Sequence, residues 1–176
     1  RKHAVGVNIK GGNNNEHHNH NDLGSYTIVQ GKEKMVEDPG IIPYTAKTFS
    51  SERYTYKTLA SYGHPVPLVA GKQQQTGENA MAKVMFTDFT DERDVIQMDL
   101  TSAYEVPELI KLNRNFFYKR EKKESLEIRD EFEFISPQTF ETAIITRAEW
   151  KKISKHELLL ERANERLQIK VKTSQG

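Results

Sequence analysis

An all-β fold, an antiparallel two-layer β-sandwich with one short helix, is what this sequence predicts, and three observations lead there. Short segments with apolar residues at alternate positions dominate the chain. A strand turns successive side chains to opposite faces, so this period marks strands half buried in a core. Turn-forming Gly, Pro, Asn and Asp separate the segments at close intervals, and few stretches hold a helical period for three turns. At 176 residues the chain supports one sizeable core, and residues 1–176 read as a single domain.

Along the chain, residues 1–12 open on a strand-like pattern, and 25–30 ("SYTIVQ") lead through "GKEK" into "MVED", a hairpin closing at Asp38–Gly40. Residues 42–62 have no clean period but hold four tyrosines and several Ser and Thr. An irregular stretch of that length inside a domain is functional or disordered, and its aromatic content argues for function. Further strands are expected at 66–71, 80–89, 93–101, 114–121, 125–135 and 139–146. In 125–135 the alternation puts Leu126, Ile128, Asp130, Phe132 and Phe134 on one face, where Asp130 interrupts an apolar row and is expected to make a structural hydrogen bond. The one helix expected is Glu105–Leu112, with Pro107 in its first turn. At the end, 157–161 and 166–172 read as two strands turning at "RANE", because Leu167, Ile169 and Val171 alternate strictly.

Composition excludes several classes. With 26 basic against 25 acidic residues the net charge is +1, which argues against blanket neutralisation of nucleic-acid phosphates. There is no cysteine, so neither a disulfide framework nor a thiolate zinc site can form, and any metal must be held by His, Asp or Glu. No run approaches the roughly 20 apolar residues of a membrane span. The sequence lacks an initiator methionine and begins on a strand-like pattern, and is expected to be cut from a longer protein whose targeting signal lies upstream.

The chemistry concentrates in "NNNEHHNHNDLGSY", residues 13–26, which holds His17, His18 and His20 among five asparagines. Read as extended chain, His18, His20 and Asp22 share one side, and such a triplet suits metal binding, acid/base chemistry, or both. Two residues elsewhere join them. Asp38 ends the strand that pairs with the one following the cluster, so the hairpin returns it towards residues 20–25. His64 stands between Gly63 and Pro65 at a strand entrance. His20, His64 and Asp38 would give three protein ligands of a zinc site with one open or water-filled position.

"GGNNNEHHNHNDLGSY" (11–26), "EDPGIIPYTAKTFSSERYTYKTLASYGHPVPLVAGKQQQTGE" (37–78) and "DLTSAY" (99–104) together resemble the C-terminal sandwich domain of the heparinase II/III-like polysaccharide lyases, over most of residues 10–150. The H-x-H-x-D-x-G-S-aromatic run and the GH-x-VPLV element are its most specific parts. The resemblance implies that His18 lines a catalytic cleft, and that His20, Asp38 and His64 hold one structural Zn²⁺ per chain. It implies β-elimination on an acidic, uronic-acid polysaccharide, with a tyrosine as acid and further groups from an N-terminal helical toroid domain absent here. Tyr54 is the candidate cleft tyrosine and Tyr56 its competitor. A bacterial periplasmic or secreted location and a possible homodimer are implied in the same way. The competing classes are a non-catalytic carbohydrate-binding or structural sandwich, and a hydrolase using zinc-bound water with Glu16 or Asp22 as base. Arg53 is expected to meet a substrate anion or to pin its loop through an acidic neighbour. Asn15, Glu16 and Asn19 are expected to shape the loop, and Asp22 to position rather than ligate. His3, His17 and His156 are expected at the surface, and Lys119, Arg120, Lys122 and Lys123 at a solvated hairpin tip.

Overall fold

The computed structural model describes residues 4–120 and 123–174, so the expectations for His3 and Lys122 lie outside the described residues. The described strands are β1 (Val5–Ile9), β2 (Gly12–Asn14), β3 (Tyr26–Gln30), β4 (Glu33–Val36), β5 (Pro67–Val69), β6 (Gly77–Phe89), β7 (Arg93–Asp99), β8 (Leu109–Lys119), β9 (Ser125–Phe134), β10 (Phe140–Thr142), β11 (Glu149–Ser154), β12 (Glu157–Arg162) and β13 (Glu165–Lys170). Among the described residues no helix reaches 7 residues, and the sheets are antiparallel and packed together, so the chain is an all-β sandwich. No described helix is long and apolar enough to cross a membrane.

A five-stranded sheet, β2-β6-β7-β8-β9, is one layer. Its inner face carries Ala80, Ala82, Met98, Leu112 and Phe116, which pack on Ile9 and Tyr26 of the three-stranded sheet β1-β3-β4 and on Val69 and Phe140 of the β5-β10 pair. A second cluster joins Ile28, Met35 and Val36 to Leu160, Leu167 and Ile169 of the meander β11-β12-β13. Burial of a large aliphatic or aromatic side chain is worth about 1.5–3 kcal/mol, so these two cores fix the layers and leave the loops between them to carry polar chemistry.

The expected strands are present, and the hairpin β3-β4 turns at Gly31 and Lys32, where Gly31 takes φ 61°. Asp38–Gly40 is where the chain leaves that hairpin. Two strands gave no readable signal. β2 is only Gly12–Asn14, and every residue of β11 is exposed, so β11 has no apolar alternation to read.

The expected helix Glu105–Leu112 does not form. A 3-10 turn occupies Thr101–Ala103 and β8 starts at Leu109. Val106, Leu109 and Leu112 have helical spacing because of a register irregularity between Leu109 and Lys111, which turns both Leu109 and Leu112 inward across one extra residue. The extended reading of residues 13–26 also fails beyond β2. Hydrogen bonds from Asn19 N–H to Glu16 O (3.2 Å) and from Ser25 N–H to Asp22 O (2.9 Å) close two turns there. His18, inside the first of these turns, takes φ 60°, in the left-handed region.

The basic run is less solvated than expected. The Arg120 guanidinium pairs with Asp94 and donates to Thr90 O (2.9 Å), while Lys119 and Lys123 are exposed. His17 and His156 are exposed, as expected.

Candidate metal centre and cleft

Three loops meet at one end of the sandwich. The loop after β2 brings His20, the exit of β4 brings Asp38, and the entrance to β5 brings His64. Gly63 lets the last loop approach closely, since a Cβ there would stand 2.5 Å from Lys57 O. The ligating atoms of His20, Asp38 and His64 all lie within 4.8 Å of one another, the three residues chosen from sequence. Asp38 Oδ2 is 3.1 Å from His64 Nδ1 and 3.9 Å from His20 Nδ1. Ligands at 2.0–2.2 Å in a tetrahedron are separated by about 3.3 Å, so Asp38 and His64 stand close to that spacing and Asp38 and His20 somewhat wider.

The decisive atom is His64 Nδ1. His64 is 0% exposed, and its Nε2 lies 3.1 Å from Thr58 O. A carbonyl only accepts, so the ring proton belongs on Nε2 and Nδ1 presents a lone pair. That nitrogen is buried without a hydrogen-bond partner. Its nearest polar neighbours are carboxylate oxygens of Asp38 (3.1 Å) and Asp22 (3.8 Å), which also present lone pairs. Lone pairs facing one another at 3.1 Å repel unless a cation, either a proton or a metal ion, lies between them.

The electrostatics suit ligation. Burial depresses the His20 pKa against the opposing pull of Asp38 and Asp22, which favours the neutral imidazole, able to donate a lone pair. Burial pushes the Asp38 carboxyl up, but hydrogen bonding with His64 when a proton lies between them, and the Gly40 N–H at 2.7 Å, outweigh it and hold the group below the ordinary carboxylate range. Asp38 is therefore ionised at neutral pH.

His18 does not share this face. Its left-handed backbone sends the ring the other way, against Tyr44 at 5.4 Å between centroids, and Tyr44 in turn lies 5.4 Å from Phe49. His18, Asn15, Thr48, Phe49, Arg53 and Tyr54 are among the residues lining an open cleft of about 510 Å³. Tyr56 is turned away from it, its hydroxyl 3.4 Å from Thr45 Oγ1 and its ring under Lys47. Asn15 and Glu16 line the cleft rather than brace the loop, while the Asn19 side chain does brace it, accepting from Lys10 and donating to Asn14 Oδ1 (3.3 Å).

Arg53 pins its loop, through carbonyls rather than an acidic partner. Nε and Nη2 donate to Asn19 O (3.1 and 2.8 Å) and Nη1 to Thr48 O (2.8 Å). Asn19 is thus the joint between the two parts, its carbonyl held by the cleft arginine and the next residue facing the metal position.

Two residues passed over in the sequence hold the loops together. Arg114 is 1% exposed and makes a bidentate pair with Asp130 (2.7 and 2.7 Å), which gives Asp130 its expected structural role. Its remaining protons reach Gly24 O (3.1 Å), Pro65 O (2.8 Å) and Thr142 Oγ1 (3.1 Å), so one guanidinium fastens both histidine loops to the sheet. Arg114 breaks the row Leu112–Phe116 in β8 as Asp130 breaks its row in β9, opposite it in register, and that matched interruption was the available signal. The other residue is Gln74, whose side chain bonds Leu23 N–H and Leu23 O (both 2.8 Å). It sits in "KQQQTG", where nothing marks it out.

No family model matches this chain, and no curated protein does.

Proposed function

We propose that this chain is the zinc-binding sandwich domain of a polysaccharide lyase that cleaves a uronic-acid polymer by β-elimination. The observation that carries the reading is the convergence of His20, Asp38 and His64 on an orphaned buried lone pair, one residue away from a cleft that holds His18 and Tyr54. A bound Zn²⁺ would be structural, cross-linking three loops, of which the His20 and His64 loops already meet through the Asn21 N–H bond to Leu59 O (2.9 Å), with His20, Asp38 and His64 as its protein ligands.

In the elimination, the C5–H bond of the uronic ring breaks, its electron pair forms the C4=C5 double bond, and the C4–O bond breaks with a proton delivered to the departing oxygen. His18 takes the proton or steadies the charge on the substrate carboxylate, both of which an imidazole side chain can do. Tyr54, which lines the same cleft, would protonate the leaving oxygen. The cleft suits a sugar: amides and hydroxyls meet ring hydroxyls, and Tyr44 and Phe49, 50% and 70% exposed, offer apolar faces to ring C–H groups. A preceding helical domain would supply the remaining groups, and the parent protein would act outside the cytoplasm on acidic polysaccharide.

That same exposed ring pair favours a second reading, a carbohydrate-binding module without chemistry. Ultraviolet absorbance of the unsaturated uronic product, followed on the full-length protein with heparan-type and alginate-type polymers, separates the two. Product formation supports the lyase, and binding without product supports the module.

A further inference from the structure

Lys10 lies just beyond β1, and its ammonium is used up inside the histidine loop. Nζ donates to Asn19 Oδ1 (3.0 Å), to His20 O (3.3 Å) and, in a short ion pair, to Asp22 Oδ1. An ammonium has three protons, and each has an acceptor here. Asp22 is almost wholly buried, its side chain 6% exposed. Its second oxygen accepts from Ser25 Oγ (3.3 Å) and stands 3.8 Å from His64 Nδ1.

Asp22 therefore reaches towards the metal position without belonging to the ligand set. A free carboxylate at that distance from a divalent ion would be drawn in, because zinc takes four ligands and binds carboxylate oxygen readily. The ion pair with Lys10 and the Ser25 hydroxyl oppose that movement by satisfying both oxygens where they stand.

We infer that Lys10 keeps Asp22 out of the metal's coordination sphere and so fixes the protein ligands at three, leaving one position open to solvent or a small ligand. The inference rests on the reading of His20, Asp38 and His64 as a metal site. Lys10 is a positioning residue, touching neither metal nor substrate.

Co²⁺ is the probe, read by its visible absorption, with thiocyanate as a small ligand that can enter an open position. The chain binds one Co²⁺, and thiocyanate shifts its band. In Lys10→Met the band differs from the start and the thiocyanate shift is lost, because Asp22 occupies the fourth position. In Lys10→Met/Asp22→Asn the shift returns. Asp22→Asn alone, which keeps an oxygen for Lys10, leaves band and shift as in the parent chain. A Lys10→Met protein that answers thiocyanate like the parent overturns the inference. So does an Asp22→Asn band displaced from the parent's, which would make Asp22 a ligand all along; this arm decides the matter even if Lys10→Met does not fold. A parent chain that takes up neither Co²⁺ nor Zn²⁺ removes the metal reading itself, an outcome distinct from the other two.

Discussion

At His18 one backbone torsion separates two histidines that are only two residues apart. A residue other than glycine pays about 1 kcal/mol or more in the left-handed region, and such strain persists where the surroundings hold it in place. His18 at φ 60° is held between the turn closed by Asn19 N–H and the ring of Tyr44. Glycine carries no such penalty. His18→Gly is therefore expected to be more stable than His18→Ala by roughly 1 kcal/mol in urea unfolding, the reverse of the order at an ordinary strand position. Equal stabilities would mean that the loop relaxes when the imidazole is removed. In the full-length enzyme His18→Ala is expected to lower turnover by about 10²–10⁴ while zinc content stays unchanged. His20→Ala is expected to lose the metal first, by elemental analysis, with the melting temperature falling alongside. Zinc leaving with His18→Ala would exchange the two roles.

At the scale of elements, stability and site geometry depend on two arginines. Arg53 ties the irregular segment to the histidine loop through three hydrogen bonds to carbonyls. Arg53→Ala strands those acceptors and is expected to cost about 1–3 kcal/mol, with zinc affinity falling because Asn19 adjoins His20. Competition with a chromophoric chelator reads that change directly; an unaltered affinity would show that the cleft segment and the metal loop are independent. Arg114 ties β8 and β9 to both histidine loops. Arg114→Met leaves Asp130 buried without a partner and is expected to cost about 3–5 kcal/mol, whereas Arg114→Met/Asp130→Leu recovers much of that loss. A double variant as unstable as the single one would place the cost in the lost bonds to Gly24 O and Pro65 O rather than in the stranded carboxylate.

For the whole molecule, the core carries two tyrosines that oppose high pH. Tyr104 is buried, donates its hydroxyl to Pro67 O at 2.7 Å, and burial pushes its pKa far up; burial raises Tyr26 as well. The ordinary value is 10.0 for both, so the unfolded chain ionises there while the folded chain stays neutral. Their stabilisation is complete below pH 10 and is lost as pH rises towards the folded values. Alkaline titration is expected to show part of the tyrosinate absorbance only with unfolding, and Tyr104→Phe/Tyr26→Phe to remove that delayed part. Smooth titration of every tyrosine in the folded chain would contradict the burial.

The sequence by itself determined the all-β class, most strand positions and the trio His20, Asp38 and His64. Alternation records which side chains face a core, and a hairpin's return is set by its strand lengths. It did not determine that residues 15–25 turn instead of extending, that Leu109 and Leu112 face inward across a bulge instead of along a helix, or that β11 exists. The first follows from hydrogen bonds closed within the loop, the second from register against β9, the third from pairing with β12 alone. Only the tertiary structure decided that His18 faces a cleft while His20 faces Asp38 and His64, and that Tyr54 rather than Tyr56 lines the cleft. It also decided that Arg114, Gln74 and Lys10 hold the loops. Those assignments depend on contacts between residues far apart in the chain, and periodicity carries no record of which distant side chain will satisfy a buried carbonyl or carboxylate.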